Sequence, residues 1–385
     1  MATAVTSALT RAWRLPPKRN HVLVTRGVRI PMRDGVKLIA DHYSPDTDEP
    51  CPTILIRCPY GRGPEYGLIN SQPYAERGYH VLLQSTRGTF GSGGDFKPVV
   101  HEAADGQDTV AWLREQPWFD GRLGTIGPSY LGFVQWALAL DPPPELKAMA
   151  VHVGPHDMAR LAYGRGPFQL FVLLMWSEMV AHQERMGMVR ATARLMSAER
   201  RLTPVLSQLP LESAADNLGG DGAPWFREWI TEDADGPLWD PYRASAALER
   251  VTVPTLLIGG FHDMFLDQTI EQYQVLHGRG VEAGLTIGPW THFSIDQSVA
   301  IGETLAWLDA HLAGTGPAPR QQPVRVWIGG LGRWRDLPDW PPAGTAPREW
   351  LLQAGGLLAA AGQEQPAGQE QPTGQDQPAG QEQPA

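Results

Sequence analysis

The stretch Gly127-Pro128-Ser129-Tyr130-Leu131-Gly132 constrains this chain more than any other. The apolar residues 123–126 before it read as a strand, and the apolar run 133–140 after it reads as a helix. Strand, sharp turn and helix are the parts of a nucleophile elbow. The flanking glycines remove side chains that would crowd the turn, so the serine is held strained and exposed, its oxygen pointing outward. A serine oxygen is a weak nucleophile at its free pKa. It needs a histidine base, and the base needs an orienting acid.

Both partners follow in the chain. Asp263 comes after the apolar run 253–260, which reads as a buried parallel strand ending in glycines. His292 comes after a short apolar strand at 284–287 and the breaker pair Gly288-Pro289. The order serine, aspartate, histidine is that of α/β-hydrolases, not of chymotrypsin or subtilisin. Each member lies just past the carboxyl end of a predicted strand, where open α/β sheets place their sites. Alternatives stand beside each member. Ser129 alone reads equally as a turn serine, and the strict elbow pentapeptide has glycine where this chain has Leu131. Asp263 also reads as a helix N-cap before a predicted helix at 268–276, and Asp267 is a rival acid, less favoured because it is farther from the strand end. His80, His152 and His182 read as packed or surface residues, and His311 as part of the last turn of a helix over 301–312.

The remaining pattern agrees. Residues 22–43 read as a hairpin, and 53–57, 79–83, 123–126 and 149–153 as apolar strands separated by helix-like segments. That alternation predicts a mostly parallel sheet flanked by helices. Residues 155–245 break it with helix-rich sequence, a cap inserted before the strand that carries the acid.

These residues resemble the cocaine-esterase-like serine hydrolases of the CocE/NonD group, which also holds X-Pro dipeptidyl-peptidases, α-amino acid ester hydrolases and glutaryl-cephalosporin acylases. The resemblance is carried by Gly-Pro-Ser-Tyr-Leu-Gly with Gln135-Trp136, by Ile30-Pro31-Met32-Arg33-Asp34-Gly35 and by Arg57-Cys58-Pro59-Tyr60-Gly61. It is carried further by Glu102, Asp105, Asp108, Trp112 and Trp118, and by Trp334-Arg335-Asp336. It covers residues from about 24 to about 358 and implies an α/β-hydrolase fold with a helical cap. It implies a triad of Ser129, His292 and Asp263 that cleaves esters or amides through an acyl-enzyme without a cofactor or metal. It implies an oxyanion hole made by the Tyr60 hydroxyl and the Tyr130 N–H, and pocket walls at Trp176 and Phe265. Dipeptidyl-peptidase action on X-Pro peptides remains an alternative; it needs a carboxylate for a free amino terminus, and Glu178, Asp221 and Asp240 are candidates. An inactive hydrolase fold serving as a binding module is a third reading. The chain departs from the resemblance in reading Gly-Phe-His-Asp at 260–263 and Ser-Thr-Arg-Gly at 85–88, the latter removing a carboxylate from the neighbourhood of Arg87.

The expected organisation is an N-terminal extension (1–20), a catalytic domain (21–154 and 246–318), the cap (155–245), a remnant of a C-terminal jelly-roll-like β domain (323–360) and a repeat (361–385). The repeat, four near-identical copies of Gly-Gln-Glu-Gln-Pro-Ala, has no aliphatic side chain larger than alanine and no aromatic, and disorder is expected there. A net charge of −10 argues against nucleic acid and anionic membranes as partners, leaving small esters, amides or short peptides. The oligomeric state is left open, a homodimer included. No apolar run reaches the roughly 18 residues of a membrane span. Cys51 and Cys58 bracket one strand, about 23 Å of extended chain, out of disulfide reach. Reduced thiols and the lack of a signal-like start predict a cytoplasmic protein.

Overall fold

Ten segments with strand-like sequence pair into one sheet in the computed structural model. They are β1 (Val22–Pro31), β2 (Lys37–Pro45), β3 (Thr53–Cys58), β4 (His80–Ser85), β5 (Leu123–Pro128), β6 (Leu146–His152), β7 (Thr255–His262), β8 (Ala283–Thr291), β9 (Val324–Ile328) and β10 (Arg333–Leu337). The structure describes residues 2–361 apart from 165, 187–189, 191, 192, 195, 219–222, 318, 319 and 354. The glutamine-rich repeat from 362 on, with its expected disorder, lies outside the described residues, and so does Asp221.

The order across the sheet is β1-β2-β4-β3-β5-β6-β7-β8-β9-β10. Pairs from β4 to β9 are parallel, and β1, β2 and β10 join antiparallel at the two edges. Every residue of β3 and β4 is buried. Their side chains alternate between two apolar cores: Ile54, Ile56, Val81 and Leu83 pack into one, and Leu55 and Leu82 into the other. That period of two, with both faces covered, is what a central parallel strand requires. The fold is that of an α/β-hydrolase.

The structure differs from the sequence reading at one place and adds to it at two others. The stretch 323–360, expected as one remnant β domain, divides. β9 pairs in parallel with β8, setting Leu285 against Val324 and Ile287 against Val326, and so belongs to the catalytic sheet. Val324 and Val326 face the main core, while Arg320 and Arg325 donate to Glu303 on the helix Gln297–His311. The compact unit therefore runs to Trp340. A second unit begins at Pro341; its described part is a hairpin of Trp350–Gln353 with Leu357–Ala360, where Trp350, Leu352 and Leu357 are exposed. The N-terminal extension, given no element by sequence, forms a helix over Ala2–Ala12. It is tied down where the Thr6 hydroxyl donates to Glu76 (2.6 Å) and Arg77 donates to the Pro16 carbonyl (2.5 Å). Arg87, with one carboxylate fewer in its neighbourhood because Ser85 stands in the sequence motif, still holds two: it is bidentate to Asp105 (2.6 and 3.0 Å) and bridges to Asp34 (2.7 Å).

The cap contains the helices Met158–Tyr163, Leu170–His182, Ala198–Leu206 and Pro224–Thr231. Asp157 caps the first of these by accepting from the Arg160 N–H (3.1 Å). Trp229, Trp239 and Tyr242 pack together at its centre. Its tryptophans Trp225, Trp229 and Trp239 are buried as packing, whereas Met158, Met175, Met179 and Met186 line the cavity described next and Met196 is exposed.

Candidate active site

β5 is buried through Gly127 and then stops at Pro128. Ser129 follows at φ 59°, ψ −121°, a conformation that L-residues avoid, and the helix Tyr130–Leu138 starts immediately after it. Two glycines make the turn sterically feasible. A Cβ on Gly127 would sit 2.4 Å from the Leu131 Cβ, and one on Gly132 would meet the Gly154 backbone at 2.6 Å. The Ser129 N–H is already used, donating to the His152 carbonyl (2.9 Å). The next amide, that of Tyr130, opens the helix and has no helical partner.

Asp263 lies one residue past β7 and His292 one residue past β8. His292 Nε2 is 2.9 Å from Ser129 Oγ, and His292 Nδ1 is 2.7 Å from Asp263 Oδ1. The Asp263 side chain is fully buried, and its Oδ2 accepts from the Phe265 N–H (3.2 Å). A carboxylate only accepts, so the imidazole proton belongs on Nδ1, which leaves Nε2 free to take the serine proton. Asp267 sits in the first turn of the helix Leu266–Gly278 and does not make this contact. His262, beside the acid, is exposed at the end of β7. The other histidines singled out are structural: His80 bonds to His42 at 3.0 Å, and buried His152 bonds to Thr304 at 2.9 Å.

The sheet and the cap bring Tyr60 to the same place. The Trp176 indole N–H donates to Tyr60 Oη (3.0 Å). Burial holds the Tyr60 phenol well above its ordinary pKa, with hydrogen bonds to Trp176 and Ser129 partly opposing the shift. The phenol therefore keeps its proton, and one of its lone pairs is taken up by Trp176. The Tyr130 phenol is engaged elsewhere, donating to Glu102 (2.8 Å), so only its backbone faces the serine. Trp176 stacks on the Tyr130 ring (6.2 Å, 10°), and Phe265 stands edge-on to His292 (5.4 Å, 71°).

All seven residues border one cavity of about 590 Å³ except Asp263, which backs it through His292. Its walls are apolar, among them Met158, Leu161, Val172, Met179, Met264 and Ile295. Of the carboxylates considered from sequence, Glu178 and Asp240 do not border it. Glu178 is paired with Arg194 (2.5 Å) and Arg201 beneath the cap, and Asp240 is exposed beside Arg243. Among the described residues, the acidic one that borders the cavity is Glu65, at its rim, and sequence reading missed it. The available signal was its position five residues beyond Tyr60 in a glycine- and proline-rich loop. Cys58 is buried near Tyr60, its thiol pushed far up by desolvation, and it accepts the Tyr60 N–H (3.3 Å).

The sequence model of the X-Pro dipeptidyl-peptidase (S15) family matches residues 34–294, the span that carries Tyr60, Ser129, Asp263 and His292. The chain belongs to this family. As an S15 family chain it is 31% identical over 365 residues to cocaine esterase from Rhodococcus sp. (strain MB1 Bresler), covering 86% of this chain and 63% of that protein. Among solved structures, an aminopeptidase from a marine sediment Thaumarchaeota archaeon superposes with a TM-score of 0.66 at 22% identity, covering 89% of this chain and 63% of that one. An α-amino acid ester hydrolase does so with a TM-score of 0.63 at 22% identity, covering 90% and 64%. The S15 family chain thus spans somewhat under two thirds of the length of these relatives. Among its described residues, no helix is long and apolar enough to cross a membrane.

Proposed function

We propose that this chain is a serine hydrolase that cleaves esters or amides of apolar acyl or aryl groups through an acyl-enzyme. The observation that carries the reading is the unbroken line Asp263–His292–Ser129 at 2.7 and 2.9 Å, ending on the floor of an apolar cavity. In this reading Ser129 Oγ attacks the carbonyl carbon while its proton passes to His292 Nε2. Asp263 holds the imidazole and stabilises the imidazolium that forms. The carbonyl oxygen becomes an oxyanion, which the Tyr60 hydroxyl and the Tyr130 N–H meet. His292 then returns the proton to the leaving alcohol or amine, and water repeats the sequence to release the acid.

Tyr60→Phe keeps the ring packing and removes one donor to the oxyanion. It is expected to lower kcat by roughly 10²–10³-fold with little change in KM, as read from steady-state kinetics on p-nitrophenyl esters. An unchanged kcat would remove Tyr60 from the oxyanion hole.

One observation favours a second reading, X-Pro dipeptidyl-peptidase action: Glu65 is the acidic residue bordering the cavity, and such a substrate brings a free ammonium. Turnover of p-nitrophenyl acyl esters without Ala-Pro p-nitroanilide supports the esterase reading, and the reverse supports the peptidase. The free, buried thiols of Cys51 and Cys58 support a reducing compartment, and we assign the chain to the cytoplasm on that ground.

A further inference from the structure

The Tyr130 side chain does not enter the chemistry proposed above, yet it joins two strained points of the backbone. Ser129, which precedes it, has φ 59°, and Val99 has φ 62°. Val99 is a buried β-branched residue in the left-handed region, where such residues are genuine outliers. The Val99 N–H donates to Tyr130 Oη (2.8 Å), and Tyr130 Oη donates to Glu102 Oε1 (2.8 Å). Glu102 is buried and paired with Arg57, Nη2 to Oε2 at 2.7 Å, and Arg57 Nη1 also donates to the Glu102 carbonyl (2.6 Å). Arg57 Nε in turn donates to Gln84 Oε1 on β4 (3.0 Å). The phenol is thereby fixed to the ends of β3 and β4 and to the start of the helix Glu102–Arg114.

The ring adds the second half of the connection. It stacks on Trp176, which donates to Tyr60 Oη, and stands edge-on to Tyr60 itself (6.4 Å, 71°). Both proposed oxyanion donors, the Tyr130 N–H and the Tyr60 hydroxyl, are therefore referenced to the position of one phenol. Strained backbone persists only where its surroundings over-determine it, and at this elbow the fixed points are Glu102, Arg57 and Val99.

We propose that the Tyr130 phenol, anchored by the Glu102–Arg57 pair and the Val99 amide, is a clamp that holds the nucleophile elbow and its oxyanion donors in register. Glu102 and the Tyr130 hydroxyl are positioning residues, not catalytic ones, and the inference rests on the serine-hydrolase reading. Tyr130→Phe keeps the ring and the backbone N–H but frees the elbow from the anchor. Misplaced donors weaken binding of the tetrahedral state and leave ground-state binding alone.

The test measures kcat and KM on a p-nitrophenyl ester and inhibition by phenylboronic acid. Ser129 Oγ adds to the boron, its proton passes to His292, and no group leaves, so the adduct mimics the tetrahedral state. Tyr130→Phe is expected to lower kcat and weaken the boronate by similar factors, roughly ten- to a hundredfold, with KM within about threefold of wild type. Glu102→Gln, which keeps an acceptor for the phenol but breaks the charge pair with Arg57, is expected to lie between, and it serves if Tyr130→Phe does not fold. Tyr273→Phe is the control: that tyrosine is also buried and loses a hydroxyl bond, to Asp339 (3.2 Å), away from the cavity, and its kcat should stay at wild type. A folded Tyr130→Phe with kcat and boronate affinity unchanged overturns the clamp alone. KM rising in step with the loss of boronate affinity also overturns it, because that reports general loosening of the cavity. A wild type that neither turns over ester nor binds boronate overturns the hydrolase reading, and the clamp falls with it.

Discussion

Ser129→Ala is expected to lower kcat by roughly 10⁶-fold, the scale on which a triad acts as a unit. The effect is that large because no other group replaces the oxygen. Ser129 Oγ is the atom 2.9 Å from His292 Nε2 at the cavity floor, and the buried thiol nearby, Cys58, is held protonated by desolvation and engaged by the Tyr60 N–H. The cost to stability is small by comparison. The variant gives up one or two hydrogen bonds of the serine hydroxyl, worth about 1 kcal/mol each. It keeps the Ser129 backbone bonds to His152, Gly132 and Phe133. A melting temperature within a few degrees of wild type, together with abolished turnover, is the expected pair of results. A large loss of stability would mean that the serine holds the turn together and that the kinetic loss is not chemical.

Asp263→Asn is expected to cost roughly 10⁴-fold in kcat, by imposing the wrong tautomer on His292. The structure fixes which way the asparagine lies. The Phe265 N–H points at Asp263 Oδ2, so the amide oxygen of an asparagine is drawn to that side and the NH₂ faces His292 Nδ1. A donor facing Nδ1 places the imidazole proton on Nε2, where the serine proton must arrive. The same variant separates the two aspartates weighed from sequence. If Asp267 were the orienting acid, Asp263→Asn would cost little and Asp267→Asn would carry the large loss. Rates of ester turnover for the two single variants decide between them.

The grouping of Ser129, Asp263 and His292 was legible because each sits beside a strand whose apolar pattern is unambiguous. Residues 123–126, 253–260 and 284–287 foretold the ends of β5, β7 and β8 to within a few residues. The place of Tyr60 beside Ser129 in the cavity was legible only through resemblance, since a tyrosine after a strand carries no intrinsic signal of a site residue. The clamp around Tyr130 left no trace in sequence. Arg57, the neighbours Val99 and Glu102, and Tyr130 lie in three separate stretches of the chain, and the parallel pairing of β3 with β4 and β5 brings these stretches together. The expectation of one remnant β domain over 323–360 differs from the structure for a related reason. Alternation predicts that a segment is a strand, but not which sheet edge accepts it; here the edge of β8 did, reinforced by Glu303. Glu65 was not legible because the candidate carboxylates Glu178, Asp221 and Asp240 all belong to the cap sequence, whereas the cavity rim is built partly by the loop after β3.

The central claim is an activated serine at position 129, and its most direct test is intact-mass labelling with a fluorophosphonate on wild type and Ser129→Ala. The account predicts a single adduct on the wild type, absent from the variant under the same conditions. No adduct on folded wild-type protein would contradict it and move the binding-module reading ahead. An adduct that survives in Ser129→Ala would contradict it in another way, by placing the nucleophile elsewhere.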